Sequence, residues 1–159
     1  LVAFIGSTIW LYFAGATDWT LWFTIPILFA MGLSLNAIVG TPKVAARWPQ
    51  FFSHTVLLPY AAWTGIAQWL NVQALLNDQG LITTPGINLL SNSILLACIT
   101  AFGWYFFRKC GWSIWYGGVL AWAGVAVVAA NIPSGSYLIA TMAGAYALAV
   151  LLFITTKQS

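Results

Sequence analysis

Few side chains of this 159-residue chain have the chemistry for acid–base catalysis, nucleophilic attack or metal binding. Its two carboxylates, Asp18 and Asp78, stand far apart in connectors, so the chain lacks the paired carboxylates of general acid–base catalysis. Cys98 and Cys110 form no Cys-x-x-Cys pair, and no glycine-rich phosphate loop occurs. These residues predict a protein that is not an enzyme.

His54 is the one histidine of the chain. A lone histidine without nearby cysteines or carboxylates cannot build a zinc site. A single imidazole can still be the axial ligand of a heme iron or a chlorophyll magnesium. The alternative is a histidine that is hydrogen-bonded to water or to the backbone, and the sequence leaves both interpretations open.

Residues 57–71, LLPYAAWTGIAQWLN, place aromatic and polar side chains in an apolar segment. On a helix, residues three or four positions apart share a face. One face then carries Pro59, Tyr60, Trp63, Thr64, Ala67 and Asn71, whereas Ile66, Trp69 and Leu70 point more to the other side. Aromatic rings, a gap at a small residue and an amide suit a flat, mostly apolar ligand. The spacing is equally compatible with aromatic side chains that only pack against another helix.

A second polar pair, Asn88 and Asn92, lies four residues apart and therefore shares a helix face, with Ser91 beside it. Buried amides in a membrane helix bond to a neighbouring helix or contact a ligand. We keep both asparagines as candidate ligand-binding residues beside the interhelical interpretation.

The composition identifies the class of protein that must position these residues. The chain is 62% hydrophobic and only 4% charged, with a mean hydropathy of +0.91, whereas soluble domains carry about 25% charged residues. The five Lys and Arg residues are dispersed and form no basic patch of the kind that binds nucleic acid. The sequence therefore predicts an integral membrane protein with no nucleic-acid partner.

A helix needs about 20 apolar residues to cross a bilayer core of about 30 Å. Charged residues, prolines, glycines and asparagines divide the chain into six apolar segments of roughly this kind. The segments cover approximately 1–16, 20–40, 51–76, 86–107, 113–131 and 136–156. Six crossings place all basic residues on one side and both acidic residues on the other. Lys and Arg accumulate in cytoplasmic, stromal or matrix loops. We predict an all-α integral membrane protein, one domain over 1–159, with about six transmembrane helices and both ends on that side.

Two further patterns concern packing. Aromatic residues near the predicted span ends indicate a belt at the lipid headgroups: Trp19, Trp22, Trp48, Trp112, Trp115 and Tyr116. Small residues at helical spacing indicate closely packed helices, along Gly32/Asn36/Gly40, Gly117/Ala121/Gly124 and Ala140/Gly144/Ala147. Leu1 opens directly on an apolar segment, and we expect further residues of the protein to precede it.

Residues 59–71 resemble the last core helix of the translocator protein family, also called TspO/MBR or tryptophan-rich sensory proteins. The matching positions are Pro59, Tyr60, Trp63, Ala67, Leu70 and Asn71. Residues 6–29, GSTIWLYFAGATDWTLWFTIPILF, are similar to that family's third helix running into its fourth. On this alignment, residues 1–78 correspond to core helices three to five, and 79–159 add three helices. The family's first two helices and their Trp/Pro-rich loop have no counterpart.

The resemblance implies a helical bundle that binds a tetrapyrrole such as a porphyrin or heme, a sterol or an isoprenoid, with Tyr60, Trp63, Thr64, Ala67 and Asn71 on the lining. The alternative hypothesis is an accessory subunit of a larger membrane complex, for example a photosynthetic one, that binds chlorophyll, carotenoid and neighbouring subunits. The expected partners are membrane lipid and a hydrophobic small molecule, with a second copy of the chain or other subunits as further candidates.

Overall fold

The computed structural model describes residues 5–6, 8–9, 21–39, 52–82 and 84–158. Within these ranges the chain forms helices and short turns, with no strand. The helices are α1 (Leu21–Val39), α2 (Leu58–Asp78), α3 (Pro85–Lys109), α4 (Ile114–Asn131) and α5 (Tyr137–Gln158), and a π-helical turn (Ser53–Leu57) precedes α2. The all-α prediction is confirmed for the described residues. Most of the first predicted segment, 1–16, lies outside them.

Three helices, α3, α4 and α5, are long and apolar enough to cross a membrane. The chain is therefore a helical membrane protein. In α1 the apolar stretch of described side chains is shorter, Ile25–Ala37. Helix α2 is long enough, with 21 residues, but its polar side chains, among them Gln68 and Asn71, lower its hydropathy.

Local sequence signals explain where the helices begin and end. Thr84 caps α3, since its Oγ1 accepts a hydrogen bond of 3.3 Å from the Ile87 N–H, and Pro85 occupies the first helical position. The turn between α3 and α4 needs two left-handed residues, Gly111 (φ 66°) and Trp112 (φ 60°). Only the first is a glycine, which adopts this conformation without a Cβ clash. Such short turns make consecutive helices antiparallel, so α3 and α5 run in the same direction.

Small residues bring α4 and α5 together as predicted. A Cβ atom on Gly124 would lie 2.9 Å from the Ala147 Cβ and 3.0 Å from the Ala143 carbonyl oxygen. Likewise, a Cβ on Gly117 would lie 2.8 Å from the Ile154 Cδ1 of α5. Because lipid gives no hydrophobic drive for helix association, this close backbone approach supplies the van der Waals contact that holds the pair.

Three of the residues predicted for the aromatic belt differ in their exposure. Trp115 is 46% exposed at the start of α4, which is compatible with a belt position. Tyr116, in contrast, is completely buried, because its hydroxyl has a partner inside the bundle. Trp112 is half-buried, with its ring 5.5 Å from that of Trp104 and 5.0 Å from that of Phe153. The side chains of Trp19, Trp22 and Trp48 lie outside the described residues.

Candidate functional site

Helix α2 has one surface that lines a cavity. Trp63, Ile66 and Leu70, at positions i, i+3 and i+7, contribute its wall. The spacing in the sequence groups Trp63 with Ala67 and sets Ile66 and Leu70 apart, whereas the wall of this cavity includes Ile66 and Leu70 beside Trp63 and does not include Ala67. Spacing alone defines which residues are neighbours on a helix, but the position of α3 and α4 decides which neighbours share the cavity.

The adjacent surface of α2 packs into the bundle. The Tyr60 hydroxyl lies 3.9 Å from the Met31 Sδ atom of α1. Thr64 is buried and donates a hydrogen bond of 3.1 Å to the Ala61 carbonyl oxygen of its own helix. Ala67 is buried as well. These three predicted lining residues do not line the cavity that holds Trp63.

We call this space the inner cavity; it lies among α2, α3, α4 and α5 and has a volume of about 270 Å³. Its walls include Trp63, Leu70, Ile99, Trp122, Val127 and Asn131. The Trp63 and Trp122 rings are 5.7 Å apart with a tilt of 54°, a distance at which aromatic rings attract each other. Both indoles are also exposed on the outer surface of the bundle, at 43% and 60%. They therefore stand where the inner cavity meets the surroundings of the bundle.

The wall of the inner cavity includes the polar residues Asn131 and Tyr146. Asn131, near the end of α4, donates a hydrogen bond of 2.8 Å from Nδ2 to the Val127 carbonyl oxygen, and its Oδ1 can accept one from a ligand. The Tyr146 hydroxyl of α5 is buried and has no hydrogen-bond partner among the described residues. An apolar cavity with few polar groups is the usual form of a small-molecule site.

A buried polar network lies on the other side of α2. The Asn36 Nδ2 donates to the carbonyl oxygens of Gly32 (2.7 Å) and Ala61 (3.0 Å), and the Tyr116 hydroxyl donates to the Asn36 Oδ1 (2.6 Å). Asn36 thereby links α1, α2 and α4. The spacing of Gly32, Asn36 and Gly40 predicts only a stripe of small residues and not this hydrogen-bonding role, although an amide within an apolar helix already indicates a polar partner.

Gln68 is a second buried polar residue that the sequence pattern did not predict. It is completely buried on α2, and neither Nε2 nor Oε1 has a hydrogen-bond partner among the described residues. Its side-chain amide packs against Gly32 of α1. An unpaired amide in an apolar interior is costly, so Gln68 marks either a stability defect or a functional contact.

The remaining predicted site asparagines are engaged within their own helices. The Asn71 Nδ2 donates to the carbonyl oxygen one turn earlier (2.9 Å). Asn92 Nδ2 donates to Asn88 Oδ1 (2.7 Å), so this pair bonds to itself. The interhelical hydrogen bond expected there is made instead by Ser91, whose hydroxyl donates to the Gln73 Oε1 of α2 (2.9 Å).

His54 is exposed in the π-helical turn before α2. No group of three His, Cys, Asp or Glu residues that could hold a metal ion occurs among the described residues. An axial ligand of heme or chlorophyll needs no such group, and the exposed imidazole is compatible with that role. His54 and the inner cavity do not share a wall, so a pigment bound by His54 would occupy a different site.

Comparison with known proteins finds no matching family model, no matching characterised protein and no matching solved structure. The resemblance to the translocator protein family therefore rests on the residues of the 59–71 motif and the preceding helices. It stays a prediction about the site, and the inner cavity is the physical feature against which it can be tested.

Proposed function

We propose that this chain binds a lipophilic ring compound or isoprenoid in the inner cavity. The translocator protein resemblance implies this class of ligand, and of the lining residues that it implies, Trp63 lies in the wall of this cavity. The observation that carries the proposal is the pair of indoles, Trp63 and Trp122, at the margin of an apolar cavity between helices. Aromatic faces and apolar walls bind such ligands by burial, and one or two polar groups fix their orientation. The ligand enters from the bilayer, past the two exposed indoles.

The dimensions of the inner cavity favour a narrow, elongated ligand. Its wall on α4 runs from Leu120 to Asn131, which corresponds to about 16 Å along the helix. A volume of about 270 Å³ is close to the lower end of ligand pockets, roughly 300–1,000 Å³. A sterol or an isoprenoid chain fits this shape better than a tetrapyrrole does. The Asn131 Oδ1, near one end, would accept a hydrogen bond from a ligand hydroxyl.

Photocrosslinking tests where the ligand binds. The full chain in lipid nanodiscs is irradiated with a sterol that carries a diazirine, and the adducts are mapped by mass spectrometry. Adducts should concentrate on 63–70 and 120–131, and Ala126→Phe, which fills the inner cavity, should remove them. Ala129→Phe adds the same side chain on the exposed surface of α4 outside the cavity and should leave them in place. Adducts that survive Ala126→Phe would refute the assignment.

The indole pair is tested separately by affinity. Trp63→Leu should weaken binding of a fluorescent sterol by about 5- to 12-fold, the loss expected for an aromatic contact of about 1–1.5 kcal/mol. Trp115→Leu is the matched control, because Trp115 is similarly exposed but does not line the inner cavity. Unlabelled sterol, isoprenoid alcohol and protoporphyrin then compete, and their order of affinity identifies the ligand class.

We further propose that the chain crosses the membrane six times. The support is the segregation of charge, since Arg108 and Lys109 end α3 whereas Asp78 ends α2, at the opposite end of the adjoining helix. Single cysteines at 78 and 109, on a chain without its own cysteines, should react with a membrane-impermeant maleimide from opposite sides of sealed vesicles. Labelling of both from one side would refute this topology.

A second candidate function, the accessory subunit, is favoured by the outer surface of α3. Only 11% of the apolar window of α3 is buried inside the bundle, and the Asn88–Asn92 pair bonds only to itself within the described structure. Such a face suits a neighbouring subunit or bound pigment. Extraction in a mild detergent distinguishes the ligand-binding protein from the accessory subunit. A chain that migrates alone, without a bound pigment that absorbs light, would argue against the accessory-subunit hypothesis.

A further inference from the structure

A second, larger concavity lies on the outside of the bundle between α3 and α5, and we call it the lateral groove. It has a volume of about 830 Å³ and is lined by Leu96, Thr100, Trp104, Arg108, Met142, Ala145 and neighbouring side chains. Along α3 it extends from Leu96 to Arg108, about 18 Å. One leaflet of a bilayer core is about 15 Å thick. The lateral groove therefore has the length of a single leaflet.

The charge at the lateral groove is confined to one end. Arg108 lines the groove, and the ammonium of the next residue, Lys109, lies 5.6 Å from the ring centroid of Tyr105, which also lines it. Asp78 is the only carboxylate side chain among the described residues. It ends α2 and lies near the start of α3, and the length of α3, about 35 Å, separates it from Arg108 and Lys109. The cations at the groove mouth therefore have no carboxylate partner near them in the described part of the chain.

The depth at which these cations sit matches a lipid headgroup. The rings of Trp104 and Phe153 are 4.7 Å apart, so the C-terminal ends of the parallel helices α3 and α5 lie at the same level. Lys157 ends α5 at this level too. In a membrane helix, positive side chains at such an end reach the interface, and the apolar groove continues from there toward the bilayer centre.

We propose that the lateral groove is a binding site for an anionic phospholipid, with an acyl chain along α3 and α5 and the phosphate on Arg108 and Lys109. A planar guanidinium offers paired donors to phosphate oxygens. Basic pockets between transmembrane helices are known to bind anionic headgroups in this way. The site is separate from the inner cavity, although Leu96 and Tyr146 form part of both walls, and it does not rest on the ligand proposed there.

Bromolipid quenching tests the proposal, because Trp104 lies in the groove wall. Since Trp104 is one of ten tryptophans, its signal is taken as the difference between each protein and the same protein carrying Trp104→Phe. The full chain is reconstituted in vesicles with phosphatidylglycerol or phosphatidylcholine that carry the same brominated chains, and the ratio of the two quenching affinities is measured. The wild-type protein should prefer phosphatidylglycerol. Arg108→Gln should lower that preference by about fivefold, the effect of one basic side chain near a membrane surface.

Matched variants distinguish a defined lipid-binding site from a general attraction of anionic lipid by surface charge. Lys157→Gln removes the same charge at the same level, but Lys157 does not line the groove, so the preference should stay unchanged. Arg108→Lys should restore most of it, which excludes a folding defect in Arg108→Gln. Ala145→Phe fills the groove and should abolish the preference, whereas Ala129→Phe, on the exposed surface of α4, should not.

The proposal is overturned if the wild-type protein shows no preference, or if Arg108→Gln and Lys157→Gln lower it equally. It is also overturned if Ala145→Phe leaves the preference intact, since the acyl chain would then lie elsewhere. A protein that dimerises in phosphatidylcholine and becomes monomeric with Ala145→Phe would identify a second copy of the chain as the occupant instead.

Discussion

The Tyr116 hydroxyl donates a hydrogen bond of 2.6 Å to the Asn36 Oδ1, across 80 positions of the sequence. Both side chains are completely buried. The Asn36 Nδ2 donates hydrogen bonds to the carbonyl oxygens of Gly32 and Ala61, so both the nitrogen and the oxygen of its side-chain amide have partners. This contact ties α4 to α1 and α2 by polar groups that have no alternative partner in lipid, and it therefore specifies how the helices meet.

Tyr116→Phe should destabilise the protein by about 1–2 kcal/mol, because the Asn36 Oδ1 loses its partner while remaining buried. Thermal unfolding in detergent, followed by circular dichroism, measures the change. Tyr137→Phe is the control, since Tyr137 is 66% exposed at the start of α5 and its hydroxyl has no such contact. Equal melting temperatures for both variants would show that the Tyr116 bond does not stabilise the fold.

Gly124→Ala should also lower stability, by about 1–3 kcal/mol, because the new methyl group would overlap Ala147 at the closest approach of α4 and α5. The control is Gly118→Ala on the same helix, where nothing lies within 4 Å of the added Cβ. That control should be neutral or slightly stabilising, since alanine favours a helix over glycine. A neutral Gly124→Ala would mean that the two helices are not in tight contact.

The sequence predicts the helices well where capping residues, prolines or glycines mark their ends. Predicted segments 86–107, 113–131 and 136–156 correspond to α3, α4 and α5. The reason is that Thr84-Pro85, Gly111 and Gly135 end or begin helices by local geometry alone. The start of α2 is less well predicted, because the apolar run from 51 continues through a π-helical turn that no local signal distinguishes.

The candidate site is harder to predict because it depends on partners from other helices. Trp63 is one of the predicted lining residues and lies in the wall of the inner cavity, where its neighbours are Ile66, Leu70 and Trp122 rather than Ala67. Helical spacing allows either grouping, and only the placement of α3 and α4 decides between them. The same holds for Tyr116, whose position near a predicted span end resembles that of a belt residue until its distant partner is known.

Gln68→Met should raise the melting temperature. Methionine has nearly the same volume, and the change removes two buried polar atoms that have no hydrogen-bond partner among the described residues. We expect a gain of about 1–2 kcal/mol, measured by thermal unfolding. Gln73→Met is the control, because the Gln73 Oε1 accepts a hydrogen bond from Ser91 and its loss should destabilise. A destabilised Gln68→Met variant would contradict the prediction that this buried amide costs stability.

Cys110 should react slowly with thiol reagents, because burial in the α3–α4 turn raises the pKa of its thiol from 9.0 to about 12. The thiolate is the reactive form, so at pH 9 maleimide labelling of the folded Cys98→Ala variant, which keeps only Cys110, should be at least about 100-fold slower than in denaturant. The raised pKa also predicts that the neutral thiol's contribution to stability is complete below pH 9 and is lost as the pH rises toward 12. Cys110→Ser/Cys98→Ala is the unlabelled control. Equally fast labelling of folded and denatured protein would contradict the burial of this thiol.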